Sequence, residues 1–179
     1  YVEKNPQKYI AEVDKLILKF QSEKETHINY IQKTTGLLYA GRFDEVLSIL
    51  NNQVKKIPPN WQVIFYHNML LSLYFKGDID KANEILGEVK TTLEFHYKKD
   101  YNKVTIELIN AISDFYNNRI DECKDFFNML IDVTHNEYRI AMGYYFLGKI
   151  FEIEGNIEES QEYLEKAKEY GQGSFIEFL

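Results

Sequence analysis

The chain repeats one six-residue stretch four times: Gly41-Arg42-Phe43-Asp44-Glu45-Val46, Gly77-Asp78-Ile79-Asp80-Lys81-Ala82, Asn118-Arg119-Ile120-Asp121-Glu122-Cys123 and Gly155-Asn156-Ile157-Glu158-Glu159-Ser160. The first residue is Gly or Asn, the third is large and apolar, and the sixth is small or of medium size. Gly, and after it Asn, enters the left-handed backbone region that ends a helix. The acidic residues that follow suit the positive end of a helix dipole. An apolar run precedes every copy and another follows it. Each copy therefore reads as a helix–turn–helix junction. Their first residues stand 36, 41 and 37 positions apart, and such recurrence predicts stacked helix pairs.

Working outward, residues 6–21 read as an opening helix, with Asn5 as its cap and Pro6 in its first turn. Ile10, Val13, Leu16, Ile17 and Phe20 form its apolar stripe. The first pair places Ile28, Ile31, Leu37 and Leu38 inward on its leading helix and Phe43, Val46, Leu47 and Leu50 inward on its second. Pro58-Pro59 ends that pair. The second pair starts near Asn60, and its second helix reaches about Tyr97. The third runs from about Tyr101, and the fourth from about Asn136 to Gly171. Gly171 to Ser174 read as a flexible break, before an apolar tail of Phe175, Ile176, Phe178 and Leu179. The tail either folds back as a cap or opens a next element. The reading is of one all-α domain: residues 1–24 as a cap or remnant of an earlier unit, 25–172 as four helix pairs, 173–179 as the tail.

Composition narrows the function classes. Apolar residues make up 45% of 179, enough for a packed core, and 14 Tyr and 12 Phe supply much of it. A net charge of −7 with scattered lysines disfavours nucleic acid and anionic membranes. The single Cys123 rules out an internal disulfide and a cysteine metal cluster. No secretory signal stands at the start, and the stretch from Ile57 to Phe75 is too polar to span a bilayer. A cytoplasmic protein is expected, or the soluble part of a longer, membrane-tethered one. The first residue is Tyr1 rather than Met, which predicts a piece of a longer protein.

Tyr144, Leu147, Gly148, Phe151, Gly155, Ile157, Leu164 and Ala167 fall in a pattern that resembles the tetratricopeptide repeat family, with Ser160 in place of the usual Ala. Tyr66, Leu73, Gly77, Ile79, Ala82, Leu86 and Val89 repeat it. So do Leu37, Gly41, Phe43, Val46, Leu50 and Pro58. The third unit departs most, with Asp114 at an aromatic position and Asn118 for Gly. The resemblance covers residues 26–171 and implies a right-handed superhelical array, an α-solenoid of antiparallel helix pairs. All three spacings exceed the family's period of about 34 residues, the middle one most.

The resemblance also implies a binding surface lined by the first helix of each pair. The residues it brings forward are Thr35, Tyr39, His67, Asn68, Leu71, Phe75, Leu108, Ile112, Tyr116, Tyr145 and Lys149. Asn68 and Lys149 lie two units apart, so the family's grip on a terminal carboxylate is not expected. Apolar and aromatic groups there suit a partner peptide or helix. The alternative is that this face is already covered.

Chemistry finds little purchase. His27, His67, His96 and His135 show no metal spacing and read as surface or partly packed side chains. Cys123 sits in the small-residue slot of its unit, where a thiol serves as filler. Asp78, Asp80 and Glu84 lack the rest of a calcium loop. The expectation is a protein–protein interaction module rather than an enzyme, with no cofactor and no metal. Its partner is a protein or peptide, and the apolar tail is a route to homo-oligomers. The alternative is the ligand-sensing domain of a bacterial peptide-responsive regulator.

Overall fold

The computed structural model describes residues 5–19 and 22–179. Among them are nine α-helices and no strand: α1 (Pro6–Lys19), α2 (Glu23–Tyr39), α3 (Phe43–Asn52), α4 (Gln62–Lys76), α5 (Ile79–Tyr97), α6 (Asp100–Tyr116), α7 (Ile120–Val133), α8 (Glu137–Ile153) and α9 (Ile157–Tyr170). The all-α expectation holds. None of these helices is long and apolar enough to cross a membrane. Phe20 and Gln21, assigned above to the opening helix, lie outside the described residues.

All four repeated turns share one backbone solution. Gly41, Gly77, Asn118 and Gly155 have φ of 72°, 82°, 58° and 82°. The residue after each donates its N–H to a carbonyl five positions back: Arg42 to Leu37, Asp78 to Leu73, Arg119 to Asp114, Asn156 to Phe151. The Gly or Asn donates three positions back, to Leu38, Tyr74, Phe115 and Glu152. This is the Schellman arrangement, which satisfies carbonyls orphaned at a helix end. Asn118 takes up the Gly role because its short side chain tolerates the left-handed region. Asp114 explains itself locally: besides accepting from the Arg119 backbone, it pairs with the Arg119 guanidinium at 2.5 Å.

Elsewhere side chains cap the helices. Asn5 accepts from the Lys8 N–H at 2.9 Å, Ser22 from Glu25 at 3.3 Å, and Asn136 from Arg139 at 3.1 Å. The long middle spacing is absorbed by helix length: α5 has 19 residues, against 14 in α7 and in α9.

The chain divides into two compact units, with the boundary inside α6 between Ile109 and Asn110. In the first, α1 packs on α2, α2 on both α3 and α4, and α4 on α5. Leu37, Leu38, Val46, Leu50, Leu70 and Leu73 are buried there. Val63, Val89, Leu93 and Ile106 join α4, α5 and α6, flanked by Tyr66, Ile85 and Leu86. Each such aliphatic side chain contributes roughly 1.5–3 kcal/mol on burial. In the second, α8 packs between α7 and α9. Its core is aromatic: Phe146 stacks on Phe127 at 4.8 Å and meets Phe115 edge-on at 5.0 Å. Small residues permit this closeness. A Cβ on Gly148 would stand 2.8 Å from the Leu164 side chain.

The segment after α9 is ordered, in contrast to the flexible break read from its glycines. Ser174 donates to the Gly171 carbonyl at 2.7 Å, and the Gly173 N–H donates to Glu177 at 2.8 Å. A 3₁₀ turn follows (Phe175–Phe178), and it packs on α8 and α9. Ile176 is buried, whereas Phe178 is 83% exposed.

The histidine reading needs correction as well. His135 is exposed, but His27, His67 and His96 are buried. His96 sits within 2.8 Å of the Gln62 amide oxygen. Burial, aided by Lys99, holds its pKa below the ordinary value. Below a pH of about 6.5 the unfolded chain takes up a proton there that the folded chain refuses. Stability is therefore full above that pH and falls as pH drops through it, levelling off below the depressed folded value. Urea unfolding of wild type and His96→Gln across pH 7.5 to 5 checks this: the wild type loses more stability on acidification than the variant.

The glycines give a second check. Gly87 lies within α5 with nothing near its missing Cβ. Gly87→Ala is expected to stabilise by about 0.5–1 kcal/mol through helix propensity. Gly148→Ala is expected to destabilise by about 1–3 kcal/mol through overpacking on Leu164. Chemical denaturation of both variants measures the contrast.

Candidate functional site

The structure places the eleven residues brought forward above in two groups, one per unit. In the first unit Tyr39, His67, Asn68, Leu71 and Leu108 are buried, while Thr35 and Phe75 keep part of their surface. The arrangement turns on Asn68. Its amide nitrogen lies 3.0 Å from the Thr34 hydroxyl, 2.9 Å from the Thr35 hydroxyl and 3.4 Å from the Ile31 carbonyl. Its amide oxygen stands 3.0 Å from His67 Nδ1. The contacts of the amide nitrogen join α4 to α2, so this part of the leading-helix surface closes on its neighbour. Phe75 likewise stacks on Phe43 of α3, with ring centres 5.8 Å apart.

In the second unit Ile112 is buried, whereas Tyr116, Tyr145 and Lys149 remain partly open. Tyr145, Lys149 and Ile153 succeed one another at four-residue steps along α8, so they share one face. Ile153 is 60% exposed, unusual for a large aliphatic residue on a packed helix. Tyr116 ends α6 beside that face, its ring edge-on to Phe146 at 6.3 Å. Burial, and then the nearby Tyr145, push the Tyr116 hydroxyl well above its ordinary pKa. Burial also raises Tyr145, with Lys149 opposing the shift. Both hydroxyls thus stay neutral donors across the physiological range. Lys149 pairs with Glu152, which leaves the strip nearly charge-neutral.

A second aromatic group was not assembled by sequence reasoning. Tyr144 lies against Tyr163 and Tyr170, and Phe151 against Tyr163. Lys166 covers the Tyr144 and Tyr163 rings, and Lys124 covers Phe151 at 5.0 Å. Spacing along α8 and α9 could have suggested it, since Tyr144 and Phe151 are two turns apart and Tyr163 and Tyr170 repeat that interval. These ammonium–ring contacts cap the rings from solvent.

Comparison with known proteins returned no matching family model, no matching curated protein and no matching solved structure.

No group of three or more His, Cys, Asp or Glu suited to a metal ion occurs among the described residues. Cys123 is buried and donates to the Ile120 carbonyl at 3.3 Å. Burial, with Asp114 adding to it, pushes its pKa up to about 11, which keeps it a thiol.

Asn68→Ala would leave both threonine hydroxyls and His67 without this partner. It is expected to cost about 2 kcal/mol in chemical denaturation, whereas Thr35→Ala, at the open edge of the network, costs less than half of that.

Proposed function

We propose that this chain is a protein–protein interaction module of the tetratricopeptide type. It holds an apolar segment of a partner peptide or helix on the α8 face of its second unit. The observation that carries the reading is the Tyr145–Lys149–Ile153 strip with Tyr116 at its edge. It offers two aromatic walls, an aliphatic stem and an exposed Ile, with local charge cancelled by Glu152. Such a strip binds by burying apolar area against rigid aromatic anchors at small entropic cost. The tetratricopeptide assignment draws support from four turns with the same left-handed residue and the same pair of backbone hydrogen bonds. The buried Asn68 network moves the surface away from the first unit's leading helices. Binding, not bond-making, is the mechanism in this reading.

Display of random peptides against the purified chain tests it. Enrichment is expected for sequences with paired large apolar residues. Tyr145→Ser combined with Ile153→Ser is expected to weaken the selected peptides at least tenfold. The Ile153 change alone should move stability by no more than about 0.5 kcal/mol, because the side chain is mostly exposed. Selection of no peptide, or unchanged affinity in the double variant, contradicts the proposal.

A further inference from the structure

The two units differ sharply in charge. Residues 1–109 carry 15 Lys or Arg and 14 Asp or Glu, whereas residues 110–179 carry six and 14. Every lysine of the second unit already serves a carboxylate: Lys124 pairs with Glu154, Lys149 with Glu152, Lys166 with Glu162 and Lys168 with Glu165.

The helix starts show where the surplus lies. At the first repeated turn both acidic residues are paired, Asp44 with Lys76 and Glu45 with Arg42. Their equivalents at the third and fourth turns are Asp121 with Glu122 and Glu158 with Glu159. All four are exposed, and none pairs with a cation among the described residues. The cause is local. Arg119 turns back to Asp114, and Asn156 stands where the first turn has Arg42. The helix dipole favours an acid at all of these positions alike, so it does not account for the missing counter-ions.

These carboxylates edge the α8 face. Both α7 and α9 pack on α8. The Lys124 ammonium, one turn into α7, meets Glu154 just past the end of α8 at 2.5 Å. The start of α7 therefore lies at the end of α8 that carries Ile153, and the α8–α9 turn brings the start of α9 to the same end. Ile157, four residues beyond Ile153 across that turn, is 53% exposed. Two open aliphatic side chains thus stand beside four carboxylates without counter-ions. Grouped like charges repel one another, and a cationic partner relieves that repulsion while an anionic one adds to it.

We infer that the segment held on the α8 face is cationic: an amphipathic peptide or helix with large apolar residues for Tyr145 and Ile153, and with Lys or Arg beside them for the carboxylates at the starts of α7 and α9. This rests on the binding role proposed for that face and adds the charge of the partner. Lys149 contributes its aliphatic stem, because Glu152 already neutralises its head.

The test is calorimetric titration of the full chain at physiological ionic strength. Three short synthetic peptides share the same Leu and Phe positions and carry Lys, Gln or Glu at every other position. The Lys peptide is expected to bind about tenfold more tightly than the Gln peptide, and the Glu peptide not to bind. Glu158→Gln with Glu159→Gln should weaken the Lys peptide about fivefold and leave the Gln peptide unchanged. Glu84→Gln with Glu88→Gln removes the same charge from exposed positions on α5 of the first unit, and should leave affinity within about twofold. Equal binding of the Lys and Gln peptides, wild-type affinity in the Glu158 and Glu159 double variant, or an equal loss in the α5 variant overturns the inference. If the Gln peptide still needs Tyr145 and Ile153 in that case, the proposed role of the face stands without a charge preference. No binding of any peptide, or binding indifferent to Tyr145→Ser with Ile153→Ser, removes both.

Discussion

Four residues with positive φ hold this architecture together. A helix can reverse tightly only if one residue leaves the right-handed region, and for L-residues that move carries a penalty unless the residue is Gly or Asn. Gly41, Gly77, Asn118 and Gly155 meet that requirement at equivalent positions, and each turn then closes with the same two backbone hydrogen bonds. Once the reversal is fixed, the apolar stripes on either side must face each other. Val46, Ala82, Cys123 and Ser160, the sixth residues of the four units, are all buried beside their turns. Their limited size lets the paired helices approach.

The same constraint explains how the second unit carries so much aromatic mass. With Gly143 and Gly148 on α8, neighbouring helices come close enough for Phe127 and Phe146 to stack, while Leu164 fills the space over Gly148. Tyr116 and Tyr145 sit at the margin of that core, partly desolvated and partly open. In the proposed binding role, such a margin has little side-chain freedom left to lose when a partner docks.

The helices and their turns were legible in the sequence because the signals are local: Gly or Asn at the reversal, acidic residues after it, and apolar residues at helical spacing. The excess between the second and third units was readable as extra length in helices or loops, and α5 carries it. The surface was less legible. Helix phase says which side chains share a face, but not whether the next helix covers it. Asn68 and His67 were read onto the binding surface, yet α4 lies directly on α2, and Asn68 reaches across that contact to Thr34. The ordered segment after α9 was misread for a related reason. Gly171 and Gly173 look like flexibility, but Gly171 is tucked against Ile176, where a Cβ would stand 3.1 Å from that side chain, and Gly173 provides a left-handed turn at φ 77°.

Asn118 offers the most direct test, since it is the single non-glycine among the four reversal residues. Thermal and urea unfolding of Asn118→Gly and Asn118→Val should separate the backbone requirement from everything else, because the side chain is exposed. The account predicts that the Gly variant is at least as stable as wild type and that the Val variant loses about 1–2 kcal/mol. Equal stability of the two variants would contradict it, for the left-handed residue would then not be what closes the pair.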